Sequence, residues 1–146
     1  MKKINLLFAL FACIFLTINA HAQTKIDDVI TFKNAQYQMG KITFGKPVTY
    51  SIDMTNISKD TITLLNARAA CGCTTPNFKP NQKIGPGQNA QVQITFNGSV
   101  MGAFSRSTVL EFGGNLQKIT SFSGEGVAIV ESNSLPNTSS TQPNKQ

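Results

Sequence analysis

The chain has 146 residues, of which 40% are hydrophobic and 14% charged, with 13 Lys and Arg against 7 Asp and Glu. That length suits one domain with a core of its own. The lysines are scattered and only Arg68 and Arg106 accompany them, so no basic stripe exists to follow a phosphate backbone, and nucleic acid is excluded as an expected partner.

In chain order, Lys2 and Lys3 precede an apolar run from Leu6 to Ile18, and Ala20-His21-Ala22 supplies small residues before Gln23. This is the pattern of a secretory signal peptide spanning residues 1–22. The run is shorter than the about 20 apolar residues that a membrane span requires, so no span is expected after cleavage. A lipoprotein anchored at Cys13 is the alternative, but Phe11 is bulky where a small residue is wanted and Ile14 to Ile18 would leave an apolar stub.

Cleavage changes the chemistry more than the length. Removing Lys2 and Lys3 leaves 11 basic and seven acidic side chains, a net of +4. The single histidine, His21, leaves with Cys13, so neither a Ser-His-Asp nor a Cys-His constellation can be built, nor a His-ligated zinc site. Gly85-Pro86-Gly87 and Gly124-Glu125-Gly126 match no phosphate-binding loop. No cofactor is expected, no catalytic residue is assigned, and a non-enzymatic protein is the expectation.

After a lead over residues 23–28, with Asp27-Asp28 read as solvated, short strands are expected at Ile30–Phe32 and Tyr37–Phe44. Val48, Tyr50, Ile52 and Met54 then alternate with polar residues, a period of two that predicts a strand with one buried face. Asn56 to Asp60 breaks it. A further strand lies within Thr61–Ala70, and Ala90, Val92, Ile94 and Phe96 alternate with glutamines and a threonine in a very regular one. Pro86-Gly87 and Asn97-Gly98 flank that strand as turn dipeptides. Phe104–Phe112 and Leu116–Val127 read as a hairpin joined by Gly113-Gly114-Asn115. Residues 29–128 are therefore expected to form one all-β domain, an immunoglobulin-like β-sandwich, with a small barrel as the competing architecture. From Glu131 the text is polar and lacks aromatics, so residues 129–146 are expected to be a disordered tail.

Specific elements occur in the order of a known pattern: Phe32, Gly40-Lys41-Ile42, Phe44-Gly45, the strand ending at Asn56, and Ala70-Cys71-Gly72-Cys73-Thr74 with Pro76. Pro86-Gly87, Ile94-Thr95-Phe96, Gly102 with Phe104, and Gly124-Glu125-Gly126-Val127 follow. The chain resembles a family of secreted bacterial domains of unknown function, similar to the Hydin, ASH and major-sperm-protein group of immunoglobulin-like folds. The resemblance implies that fold and an extracytoplasmic setting, and no substrate. The pattern wants a large ring directly after Pro76; Phe78 is the nearest candidate.

Cys71-Gly72-Cys73 admits three readings. In an oxidising compartment the two cysteines form a local disulfide if the backbone bends at Gly72. The chain-entropy model assigns so small a loop about 1.6 kcal/mol, so stapling the fold is not its main use. A second reading is thiol-redox chemistry, with Arg68 the nearest cation in sequence. A third is a soft-metal site for copper, using Cys71 and Cys73 with a thioether from Met39, Met54 or Met101. Asp60-Thr61-Ile62 resembles an O-glycosylation acceptor, with Thr61 the modified residue, and Asn56, Asn97 and Asn137 each begin an N-glycosylation triplet. The expected role is an exported, periplasmic or secreted, module that binds an unidentified protein or envelope partner through a sheet edge or end loops.

Overall fold

The computed structural model describes residues 24–128. A 3-10 turn at Ile26–Asp28 leads into β1 (Ile30–Lys33), β2 (Gln36–Thr43), β3 (Val48–Asn56), β4 (Ile62–Ala69), β5 (Thr74–Asn77), β6 (Gln82–Ile84), β7 (Asn89–Phe96), β8 (Gly102–Phe112) and β9 (Leu116–Val127). They form two sheets, ordered β1-β3-β7-β5 and β2-β9-β8-β4-β6. All neighbours are antiparallel except β2 and β9, which run parallel. Among the described residues no strand of one sheet pairs with a strand of the other, so the chain is an all-β sandwich of immunoglobulin-like form and not a barrel.

The period-two pattern explains which faces meet. Tyr50, Ile52 and Met54 of β3 and Ala90, Val92, Ile94 and Phe96 of β7 are buried on one inner face. Leu64, Leu110, Phe112 and Phe122 are buried on the facing one. Each large side chain so enclosed contributes about 1.5–3 kcal/mol. The alternate residues form a polar outer face, tied across strands by hydroxyl and amide pairs such as Thr49–Thr95 at 2.8 Å and Thr55–Asn89 at 2.7 Å.

Two strands, β5 and β6, were not legible in the sequence. β5 reads TTPN and β6 reads QKI, so neither carries the two large apolar residues by which the similarly short β1, ITFK, shows itself. β5 also contains Pro76, which an edge strand tolerates because its outward side needs no donor. Asp27 and Asp28 are exposed, as expected, but they are ordered in the 3-10 turn. Asp28 accepts a hydrogen bond from the Lys25 backbone at 3.0 Å, while Asp27 pairs with Lys118, whose ammonium lies 5.1 Å from the Phe32 ring centroid. That clamp holds the 3-10 turn over buried Ile26.

The loops gather at the two ends. At one, Asn56 is fully buried with its amide saturated: Nδ2 donates to the carbonyls of Asp60 at 2.7 Å and Ile84 at 2.8 Å, and Oδ1 accepts from the backbone and hydroxyl of Ser58. The Pro86-Gly87 turn closes on the same residue, Gly87 N–H donating to the Asn56 carbonyl at 2.8 Å. At the other end lie the β2–β3 turn, the β4–β5 connection, the β7–β8 loop and the exit from β9. Close backbone approach there requires glycine at two positions. A Cβ on Gly98, at φ +70°, would collide with the Lys46 carbonyl, and one on Gly126 with the Val100 carbonyl.

Candidate functional site

Cys71-Gly72-Cys73 lies at this second end, where the chain leaves β4 in one sheet and enters β5 in the other. The sequence bends there because its backbone groups are taken up on both sides. Ala70 N–H donates to the Ser107 carbonyl at 3.1 Å, Thr74 N–H to the Cys71 carbonyl at 3.3 Å, and Asn97 N–H to the Cys73 carbonyl at 3.0 Å. The resulting turn brings the two Cα atoms to 5.3 Å and the sulfurs to bonding contact. Both cysteines are half-buried, while Gly72 is exposed.

Thr74 completes the site. Its side chain is buried, and its Oγ1 lies 3.6 Å from Cys71 Sγ and 3.7 Å from Cys73 Sγ. With no hydrogen on a disulfide sulfur, the hydroxyl is the donor, and its single O–H can turn to either sulfur. A shallow groove runs beside the bridge, lined by Ala70, Cys71, Cys73, Ser105, Arg106 and Ser107, with Ser121 across from Ser107 in β9.

The cation at this groove is Arg106, not Arg68. Arg68 points away into an ion pair with Glu111, whose other oxygen accepts from Asn66. Arg106 donates to the Ser105 carbonyl at 2.8 Å, and among the described residues no carboxylate pairs with it. Sequence reasoning missed Arg106 and Thr74 for different reasons. Arg106 lies 33 positions beyond Cys73, and only the β4–β8 pairing brings it there. Thr74 adjoins Cys73 and belongs to the Ala70–Thr74 element of the family pattern, but nothing in the sequence shows that its hydroxyl turns towards the sulfurs.

The remaining candidates separate. Met54 is buried in the core, Met39 packs against it from β2, and Met101 is 56% exposed, so no methionine lines the groove with the cysteines. Among the described residues no three His, Cys, Asp or Glu side chains gather as a metal-ligating group. Phe78, the ring nearest Pro76, packs against the core. Thr61 is exposed in the loop that Asn56 pins. Asn56 itself has no free amide to offer for modification in the folded chain, whereas Asn97 is exposed, its Oδ1 accepting from the Ser99 backbone. The signal peptide, Cys13, Asn137 and the polar tail lie outside the described residues. Among the described residues no helix is long and apolar enough to cross a membrane.

Similar proteins place the fold. The ASH/PapD-like domain 7 of human CEP192 superposes with a TM-score of 0.56 at 12% identity, covering 77% of this chain and 96% of that one. A protein of unknown function from Porphyromonas gingivalis gives 0.57 at 17%, covering 76% and 50%. The VesB protease of Vibrio cholerae gives 0.60 at 13%, covering 70% and 33%, so this chain spans about a third of that protease. At such identities the likeness is one of fold. No curated protein matches in sequence. Residues 30–125, most of the described domain, match a family described as protein of unknown function DUF1573, and the chain belongs to that family.

Proposed function

We propose that this protein is an exported, non-enzymatic binding module of the cell envelope that captures an extended segment of a protein partner by strand addition along β2. The observation that carries this reading is the inequality of the four sheet edges. β1 has four residues, β5 has four with Pro76 among them, and β6 has three. β2 has eight, and among the described residues no strand pairs with its outer edge. Short edges and proline are devices that block unwanted pairing. The one long edge left open is bent at Gly40, φ +67°, where the register with β9 shifts, and it presents exposed Lys41 beside that bend. A bulge and a lysine themselves blunt an edge, so pairing along β2 requires a partner strand that follows the bend at Gly40.

Export supports the same reading. The residue 1–22 signal delivers the chain to a compartment where a Cys71–Cys73 bridge persists, and Thr61 stands exposed there as an O-glycosylation acceptor. The test is site-specific photocrosslinking in intact cells from Lys41 on β2, with Gln91 on the outer face of the other sheet as control. A discrete protein adduct from Lys41 and none from Gln91 is expected; adducts from Gln91 alone sink the strand-addition reading. Intact mass of the recovered chain should correspond to a start at Gln23, and a species beginning at Cys13 with acyl mass would show a lipoprotein instead.

A further inference from the structure

The geometry around Cys71 and Cys73 points to a second capability, independent of partner binding: we propose that the bridge is an exchange-competent disulfide that accepts two electrons from a protein dithiol, with Thr74 and Arg106 holding the thiolate it releases. Three observations converge on it. The buried Thr74 hydroxyl sits within donor range of both sulfurs, so it can serve whichever becomes the leaving group. Arg106 brings an unneutralised cation to the groove that exposes the bridge. The flanking backbone is tied to β8 and to the β7–β8 loop by hydrogen bonds that do not involve the sulfurs, so the fold does not depend on the S–S bond to hold the turn.

The exchange is written as follows. A thiolate of the incoming dithiol attacks one sulfur of the bridge; the Cys71–Cys73 bond breaks, a mixed disulfide forms, and the other cysteine leaves as a thiolate that accepts the Thr74 O–H. The second thiol of the same partner, on losing its proton, attacks the mixed disulfide and releases the remaining cysteine. The partner is oxidised to a disulfide, Cys71 and Cys73 are reduced to thiols, and the two protons lost by the partner are recovered by the cysteines. Hydrogen bonding and positive charge favour the thiolate over the thiol and so ease its departure. The surroundings oppose this with no negative charge: the other groove residues, Ala70, Ser105, Ser107 and Ser121, are uncharged, Asn97 of the β7–β8 loop is neutral, and Arg68 on β4 is held by Glu111.

The test uses the exported chain starting at Gln23, oxidised and with Cys71 and Cys73 as its cysteines, and reduced, unfolded ribonuclease A as the dithiol, mixed at equal concentration, quenched in acid and scored by thiol alkylation and intact mass. One protein bridge should open for every two ribonuclease thiols consumed. Thr74→Val, which removes one hydrogen bond to the departing thiolate, should slow the exchange about tenfold, and Thr74→Ser, which keeps the hydroxyl, should restore it. In the reduced protein the pH profile of alkylation should inflect below the about 8.5 of an ordinary thiol, and move up in Thr74→Val and in Arg106→Gln. Arg106→Gln changes a groove residue only, so it carries the test if Thr74→Val fails to fold. A bridge that ribonuclease leaves intact, or an alkylation profile at the ordinary position in wild type and variants alike, overturns the proposal. Neither outcome bears on crosslinking from Lys41.

Discussion

Tyr37 of β2 and Tyr50 of β3 stack face to face across the two sheets, ring centroids 4.5 Å apart and planes within 5°. Tyr50 continues the aromatic core to Phe122 at 5.6 Å, and Phe122 reaches Phe96 at 5.5 Å. The stack therefore ties the open-edged strand β2 to the centre of the opposite sheet. It also buries the Tyr50 hydroxyl, which finds no hydrogen-bond partner among the described residues.

That hydroxyl makes Tyr50→Phe informative. An unpaired buried donor costs about 1–3 kcal/mol, so removing it while keeping the ring should stabilise the domain by about 1 kcal/mol in urea unfolding. Thr108→Val should act in the same direction, because Thr108 Oγ1 is likewise buried without a partner. A loss of stability in both variants would show that these hydroxyls are satisfied in solution.

Burial also pushes the Tyr50 phenol up to about 12 from 10.0. The folded state then holds its proton where the unfolded state has released it. Stability is unaffected by this group below pH 10 and falls as pH rises from about 10 to 12. Unfolding measured across that window should show the decline in wild type and a shallower one in Tyr50→Phe.

Asn56→Ala should be among the most damaging single changes. It strands two carbonyls and the Ser58 backbone and hydroxyl donors in or near the interior, at about 2–4 kcal/mol. Thermal unfolding checks this; a loss under 1 kcal/mol would mean that water replaces the amide without cost.

The Cys71→Ser, Cys73→Ser double variant should lose only about 1–2 kcal/mol, as the short loop implies. Crosslinking from Lys41 should persist, because β2 lies at the opposite edge of its sheet from β4 and β6. Loss of the adduct in a folded double variant would unite the two activities in one site.

Gly126→Ala tests the crowding at the end that carries the bridge. Its Cβ would overlap the Val100 carbonyl, backbone that cannot swing aside as a side chain would. A loss of about 2–4 kcal/mol is expected by the same denaturant titration; an unchanged midpoint would show that the β7–β8 loop yields.

The sequence by itself determined the strands that are long enough to alternate. In β7, and in β3 as far as Met54, each inward residue is apolar and each outward one polar, so one buried face is written directly in the text. It determined the hairpin between β8 and β9 as well, through Gly113-Gly114-Asn115, where Gly114 takes φ +75°. Only the tertiary structure decided the rest. β5 and β6 exist because neighbouring strands offer them partners, not because three or four residues carry a period. Asn56, which read as the start of a break, became the pin of one end because Ile84, far along the chain, supplies a carbonyl for its amide. At the other end the sequence placed two cysteines one residue apart and suggested Arg68 beside them, but charge acts through space. Strand pairing turned Arg68 towards Glu111 and brought Arg106 to the groove, while the bend at Gly72 set the Thr74 hydroxyl against both sulfurs.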